Sequence, residues 1–170
     1  MTRRNRLLLA AIALLLLLFS DDRHSGKFSD GRFLIRTAVA IAETGEIGQA
    51  RGPAPLVARK DGDAVSRYGL GMSLCHLPAA LLAPHVDRAF GPGASQPLFL
   101  VAPLLLVLLS AAAAAHAARR LGASPTGEAL AILFATLAGP LAAYSQLELS
   151  EPLQAAALAV AFAAALDASR

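Results

Sequence analysis

Residues 97 to 118 read PLFLVAPLLLVLLSAAAAAHAA, a run of twenty-two residues without a formal charge that is followed by Arg119 and Arg120. A helix needs about 20 predominantly apolar residues to cross the hydrocarbon core of a bilayer. The run meets that length. Its alanines favour close contact between helices, because small side chains let two backbones approach each other. We therefore predict a membrane-spanning helix over residues 97–118.

Three other apolar blocks extend this interpretation, and they predict spans over residues 5–20, 128–144 and 152–167. Of the 170 residues, 56% are hydrophobic and 16% are charged, whereas a soluble domain has about 25% charged residues. We predict an all-α fold, a multi-pass transmembrane helical bundle that forms one membrane domain over residues 1–170 with a large outer loop at 21–96. Because little sequence follows the last block, we expect this domain to be the N-terminal part of a longer protein.

The first block is short. Leu7 to Phe19 follow Arg3, Arg4 and Arg6 and make about 20 Å of helix, against a hydrocarbon core of about 30 Å. The block is either a cleaved signal peptide or a span lengthened by arginines that extend towards the headgroups. A signal peptide has small residues at its cleavage site, whereas this block continues as SDDRH at residues 20–24. The sequence favours an uncleaved span.

Arginines orient the predicted spans. Cytoplasmic loops carry an excess of lysine and arginine, so the N-terminal arginines place the N-terminus in the cytoplasm. Residues 68–83 are apolar but contain Gly69, Gly71 and Pro78. If this segment crossed the bilayer, the arginine pair after residue 118 would face outward, so we predict that the segment is half-inserted or lies on the surface. The predicted location is the cytoplasmic (inner) membrane, with several spans and the N-terminus inside.

The outer loop opens with KFSDGRFLIRTAVAIAETG at residues 27–45. At about 100° per residue, its charged and apolar residues fall on opposite faces of a helix. The charged face carries Arg32, Arg36 and Glu43, and the apolar face carries Leu34, Ala38 and Ile41. This pattern predicts an amphipathic surface helix lying on the outer leaflet. Ser29 and Asp30 stand at its start, where either residue caps the helix or Asp30 presents a carboxylate to a lipid-borne substrate.

Other residues exclude several classes of protein. The sequence has no basic run with interleaved aromatic residues, so we expect no nucleic acid partner. Its single cysteine, Cys75, and its four histidines lack the spacing of a metal site. We therefore predict no metal ligands, while the need for a divalent cation stays open. Asp61 and Gly62 predict a turn in the outer loop.

Glu151 is a second acid of interest. The stretch SEPLQ at residues 150–154 is typical of a helix start, with Pro152 in the first turn and an acid near the positive end of the helix dipole. Capping is one explanation for this glutamate. The predicted topology also places Glu151 in the compartment that holds Asp30, which makes it a candidate for substrate binding.

Three stretches carry a resemblance to a known family. They are FSDGRFLIRTAVAIAETGEI at 28–47, DGDAVSRYGLGMSLCHLP at 61–78, and LSEPLQAAAL at 149–158, which follows Tyr144. In this order and with these spans, the chain resembles the N-terminal part of bacterial membrane glycosyltransferases of the GT-C class. These multi-spanning enzymes are related to the protein O-mannosyltransferases and the lipid A aminoarabinose transferases.

The resemblance implies transfer of a sugar from a polyprenyl-phosphate donor to an unknown acceptor at the outer face of the membrane. It implies Asp30 as the catalytic residue, either as the general base or as the group that orients the acceptor hydroxyl while it attacks the anomeric carbon. The residues implied in substrate binding are Arg32, Arg36, Arg67, Tyr68 and Glu151. Interfacial anchoring is the favoured explanation of Arg32, Arg36 or Arg67 when each is taken singly. Family members often carry an acidic pair in the first loop, whereas Gly31 follows Asp30 here.

Two other functions stay open. The chain can be a small, non-enzymatic multi-pass membrane protein of structural or assembly role, in which the acids only cap helices. It can also be part of a transporter, but the predicted spans contain almost no ionisable residue besides His116. Transport pathways are marked by ionisable residues within the membrane, so the sequence disfavours this alternative.

Overall fold

The computed structural model describes residues 1–18, 29–47, 56–58, 64–66, 70–137 and 151–169. The helices are α1 Arg3–Leu18, α2 Ser29–Thr44, α3 Leu70–Phe90, a 3₁₀ helix Gln96–Leu100, α4 Val101–Arg120, α5 Pro125–Thr136 and α6 Glu151–Ala168. The strands are β1 Leu56–Ala58 and β2 Ala64–Ser66. The predicted all-α class is confirmed, apart from this one short hairpin.

The chain divides into two compact units. The first unit contains Met1–Asp21, Pro103–Gln146 and Glu151–Arg170, and the second contains Asp22–Ala102 and Leu147–Ser150. Each unit is described by itself below. The prediction of a single domain over residues 1–170 stays a prediction.

The core of the first unit lies between α1, α4 and α5. Its buried residues are Ile12, Leu16, Leu104, Ala111, Ala115 and Ile132. Large apolar side chains also cover the outside of these helices and of α6, including Leu14, Leu18, Leu105, Leu109, Phe134, Leu158 and Phe162. Exposed apolar surface of this extent marks a membrane or interaction surface. The outer surface of this unit is therefore suited to an apolar environment.

Two helices of the described chain are long and apolar enough to cross a membrane. One is the continuous helix Gln96–Arg120 of 25 residues, and the other is α6 with 18 residues. Within the most apolar 18-residue stretch of each helix, 50% is buried for Gln96–Arg120 and 17% is buried for α6. Buried core helices of soluble proteins also meet this length criterion, so it supports membrane association only weakly.

The other two predicted spans are described only in part or end early. The predicted span over 5–20 corresponds to α1, which begins at Arg3 and whose described residues end at Leu18. The predicted span over 128–144 begins within α5, which ends at Thr136. Residues 138–144 of that span lie outside the described part of the chain.

The second unit is built on the pairing of α2 with α3. Ala38 of α2, Ala80 of α3 and Phe99 are buried together. Small side chains at the contact allow the two helices to approach closely. The amphipathic helix predicted within residues 27–45 is confirmed as α2, Ser29–Thr44. Its apolar face is covered by protein, so helix packing explains the amphipathic pattern without the predicted contact with the outer leaflet.

Helix α3 is longer than the sequence predicts. The prediction covers residues 68–83, whereas the helix continues to Phe90 and contains Pro78 and Pro84. Gly91 follows the last helical residue and has a φ of 103°, a positive value that glycine adopts without steric cost. The turn that follows is held by Asp87, which accepts hydrogen bonds from the backbone N–H of Ser95 at 2.8 Å and from its hydroxyl at 3.0 Å.

The hairpin is a feature that the sequence analysis does not predict. Strands β1 and β2 pair antiparallel, with Leu56 opposite Ser66 and Ala58 opposite Ala64. Strands of three residues are too short to show a reliable alternating pattern. The predicted turn at Asp61 and Gly62 falls between the two strands and lies outside the described residues.

The Ala38 contact supports a first prediction. Ala38→Leu is expected to lower the free energy of unfolding of the second unit by about 1–3 kcal/mol, because a fully buried alanine leaves no space for a larger side chain. Amide hydrogen exchange in α2 and α3 measures the effect. Ala89→Leu, at an exposed position of α3, is the control. An equal loss of protection in both variants would contradict this account of the packing.

Candidate functional site

Asp30 is the second residue of α2. It precedes Leu34 by four residues and Thr37 by seven, and both of those residues are fully buried. Residues at these spacings share one face of a helix. The position of Asp30 is therefore at the start of the face that α2 turns towards the interior of the second unit.

The other predicted residues of α2 lie on a different face. Arg32 and Arg36 are exposed, and at 100° per residue they stand about 160° and 120° around the helix from Asp30. Because they are four residues apart, these two arginines are neighbours and can contact one anion together. The helix therefore presents a pair of arginines but separates them from Asp30. Arg67 and Tyr68 lie outside the described residues.

Glu151 belongs to the first unit. It is the first residue of α6 and is half-buried. Its Oε2 atom is buried and has no hydrogen-bond partner in the described part of the chain. A buried polar atom without a partner costs about 1–3 kcal/mol. This atom is therefore available to a ligand or to a neighbouring polar group, beyond the capping role expected at a helix start.

The second unit contains buried polar groups that the sequence analysis did not select. His76 is fully buried, its two ring nitrogens have no described partner, and the same holds for the hydroxyl of Ser73 three residues earlier. The His76 ring lies 6.0 Å from the Phe99 ring, with 58° between their planes. Burial lowers the pKa of His76 to about 4, so the imidazole is neutral near pH 7.

The neutral imidazole has one donor and one acceptor nitrogen, and the serine hydroxyl can do both. Such groups are rarely left buried and unpaired without a functional reason. The adjacent Cys75 is half-buried, and burial raises the pKa of its thiol, which disfavours the reactive thiolate. The buried polar pair Ser73 and His76 of α3 is the candidate site that the structure adds.

A buried polar contact joins α1 to α5 in the first unit. The side-chain amide of Asn5 donates hydrogen bonds to Glu128 Oε2 at 2.9 Å and to the carbonyl of Pro125 at 3.2 Å. Helix α5 begins at the cap residue Ser124, whose hydroxyl accepts a hydrogen bond from the backbone N–H of Gly127. Asn5 and Glu128 are 123 positions apart, so no local pattern indicates this contact.

This contact supports a second prediction. Glu128→Leu is expected to lower the free energy of unfolding by about 1–3 kcal/mol, because it leaves the Asn5 amide buried without its main partner. Glu128→Gln keeps an acceptor oxygen and is expected to cost less than about 1 kcal/mol. Thermal unfolding of the full chain in detergent compares the two. If the Gln variant lost as much stability as the Leu variant, the carboxylate charge rather than the hydrogen bond would be the important feature.

A second polar contact joins the ends of α4 and α6. His116 Nε2 lies 3.1 and 3.0 Å from the two carboxylate oxygens of Asp167, and Arg120 Nε also donates to this carboxylate. Arg119 donates to His116 Nδ1 at 3.1 Å, which assigns the proton of a neutral ring to Nε2. These groups are partly exposed, so the solvent screens each ion pair and its contribution to stability is small.

The first unit also carries an apolar groove of about 370 Å³ on α5. It is lined by Leu130, Leu133, Phe134 and Leu137. This lining suits a hydrocarbon chain and offers no side-chain polar atom to a sugar or a phosphate.

No three metal-ligating side chains come together among the residues that the structure describes. The sites therefore consist of one acid at the start of α2, an exposed arginine pair, the buried pair Ser73 and His76, and a half-buried glutamate at the start of α6. No protein-family model, curated protein or solved structure significantly matches this chain.

Proposed function

We propose that this chain is part of a membrane glycosyltransferase of the GT-C class, which transfers a sugar from a polyprenyl-phosphate donor to an acceptor at the outer face of the cytoplasmic membrane. One observation carries the proposal. The first two stretches of the resemblance, 28–47 and 61–78, contribute to α2 and α3, which pack against each other. Ser73 and His76 precede Ala80 by seven and four residues, so they share the face of α3 that packs on Ala38, and their side-chain polar atoms are buried without a partner among the described residues.

The membrane placement is part of the proposal. It is supported by the length and composition of Gln96–Arg120 and α6 and by the apolar outer surface of the first unit. In this placement the arginines of α1 and α4 lie in the cytoplasm, as the distribution of arginine in membrane proteins favours. The remaining predicted spans complete a multi-pass bundle with its N-terminus inside.

Asp30 acts as the general base in this mechanism. The acceptor hydroxyl attacks the anomeric carbon of the donor sugar and transfers its proton to the Asp30 carboxylate. The bond between the anomeric carbon and the phosphate oxygen breaks, and the bonding electrons leave with the polyprenyl phosphate. Arg32 and Arg36 form an exposed pair suited to a lipid phosphate, because guanidinium groups match phosphate oxygens, but they stand on a different face of α2 from Asp30 and take no part in the transfer step.

Donor turnover tests the proposal directly. The full-length protein that contains residues 1–170 is inserted into lipid nanodiscs, because the proposal makes this chain one part of the enzyme. It is incubated with a panel of synthetic polyprenyl-phosphate monosaccharides and a bacterial envelope extract as the source of acceptor. We expect one donor to be converted to polyprenyl phosphate while its labelled sugar enters the acceptor fraction. Turnover of none of the donors by correctly inserted protein would contradict the proposal.

A non-enzymatic structural or assembly role is the second candidate. It is favoured by the two polar contacts of the first unit, Asn5 with Glu128 and His116 with Asp167, which tie helices together and involve no predicted site residue. In that case the substitution of Asp30 by asparagine leaves the function of the protein unchanged. The two candidates therefore make opposite predictions for one variant.

A further inference from the structure

Four helix ends meet at one end of the first unit. Asn5, near the start of α1, donates hydrogen bonds to Pro125 and Glu128 at the start of α5. Asp167, near the end of α6, binds Arg120 at the end of α4. The turn between Arg120 and Pro125 joins α4 to α5. The start of α1, the end of α4, the start of α5 and the end of α6 are therefore neighbours.

This arrangement collects five arginines, which we call the basic end. They are Arg3, Arg4 and Arg6 of α1 and Arg119 and Arg120 of α4. All are exposed except Arg120, which is partly buried. The first three form no ion pair with any residue that the structure describes. The basic end therefore carries an excess of positive charge.

The acids at this end do not neutralise the α1 arginines. Glu128 is buried and accepts its hydrogen bond from Asn5. Asp167 is occupied by His116 and Arg120. The opposite ends of these helices differ, because the last turns of α1 and α5 contain no basic residue and α6 begins with Glu151. The positive charge of the first unit is concentrated at one end.

We propose that the basic end binds the headgroups of anionic phospholipids in the membrane leaflet that it faces. Arginine donates paired hydrogen bonds to phosphate oxygens, and basic clusters at the ends of membrane helices bind anionic lipids. Exposed leucines adjoin the arginines in sequence: Leu7 after Arg6, and Leu121 after Arg120. A phospholipid bound by its headgroup therefore places its acyl chains beside apolar side chains. Free phosphate has no acyl chains and does not need these leucines.

This inference goes beyond sugar transfer, which uses the outer face and a different lipid. It rests on the proposed function only for the crossing of the bilayer by α4 and α6. Extraction of membranes with alkaline carbonate tests that crossing separately. A chain released by carbonate that still selects anionic lipid would contradict the membrane placement and leave the lipid site intact.

The test measures lipid binding to the full chain in detergent micelles by native mass spectrometry. The probes are dioleoylphosphatidylglycerol, which is anionic, and dioleoylphosphatidylcholine, which is zwitterionic. We expect preference for the anionic lipid, and an affinity about 30-fold lower in the double variant Arg3→Gln, Arg4→Gln at low salt, since each arginine near an anionic surface contributes about fivefold. The control is Arg88→Gln, which removes an exposed positive charge from α3 and is expected to leave the affinity unchanged.

Other outcomes would overturn the inference. Equal affinity for the two lipids, or an equal loss in the control variant, would show that the basic end is not a specific lipid site. Displacement of the anionic lipid by inorganic phosphate at a similar concentration would identify a phosphate site that needs no lipid. The exposed arginines of α1 make no described side-chain contact, so a folding defect is not expected. Thermal unfolding of both variants checks this point.

Discussion

Asp30→Asn is expected to lower the rate of sugar transfer by about 10²- to 10⁴-fold, the range by which a positioned general base accelerates a reaction. The amide cannot accept the proton of the acceptor hydroxyl. The same substitution preserves the alternative role of Asp30, because asparagine caps a helix about as well as aspartate. A large loss of activity with normal stability therefore separates catalysis from capping.

The matched control is Glu43→Gln. Glu43 is an exposed acid at the other end of α2, so its substitution removes the same charge from the same helix. We expect transfer rates within about twofold of the original protein, since surface substitutions of this kind have little effect. The measurement is the rate of donor turnover at saturating donor in nanodiscs. Unchanged turnover in Asp30→Asn would remove Asp30 from the mechanism and favour the structural candidate.

Acidification from pH 7 to pH 4 is expected to destabilise the second unit through His76. Burial lowers the pKa of His76 from its ordinary value of 6.5 to about 4. The unfolded chain therefore binds a proton on this residue at a higher pH than the folded chain does. Since one pKa unit corresponds to about 1.4 kcal/mol, stability falls by about 3 kcal/mol as the pH drops from 6.5 to 4.

The sign of this effect follows from the order of the two pKa values, because the folded-state pKa of His76 lies below the unfolded-state pKa. The full stability is present above pH 6.5, and it decreases through the window between the two pKa values. Carboxylates that are paired in the folded state also lose stability in acid, so the contribution of His76 needs its own variant. His76→Leu removes the titrating group and the two unpaired nitrogens. We expect it to flatten the pH dependence between 6.5 and 4 without lowering stability at pH 7.

Amide hydrogen exchange in α2 and α3 measures this prediction, with protection factors corrected for the intrinsic pH dependence of exchange. The control is His85→Gln, because His85 is an exposed histidine on the same helix. It is expected to keep the pH dependence of the original chain. A flattened profile in His85→Gln, or an unchanged profile in His76→Leu, would show that burial of His76 does not control the acid response.

Local signals in the sequence predict the elements well where they depend on neighbouring residues. The charged and apolar faces of α2 follow a period of 3.6 residues, and exposure of Arg32, Arg36 and Glu43 agrees with it. The strongly apolar run at 97–118 lies within the continuous helix Gln96–Arg120. By contrast, the prediction for α3 stops at residue 83, because prolines usually interrupt helices. The structure shows that the helix tolerates Pro78 and Pro84 and reaches Phe90.

The candidate site was predictable only in part. Asp30 was selected from its place at a helix start, but its separation from Arg32 and Arg36 around the helix weakens the idea that all three bind one group. Ser73 and His76 lie within the second stretch of the resemblance, yet nothing in that stretch distinguishes a buried histidine from an exposed one. Their burial depends on which face of α3 is covered.

The sequence by itself determined the helical class, the apolar blocks and the amphipathic face of α2, because these follow from the order of apolar and polar residues within a few turns of chain. Only the tertiary structure decided what covers that face and which polar groups meet. His116 and Asp167 are 51 positions apart, and Asn5 and Glu128 are 123 apart. Contacts over such distances arise when packed helices bring their ends together, and burial then determines the hydrogen bonds and pKa of the groups inside.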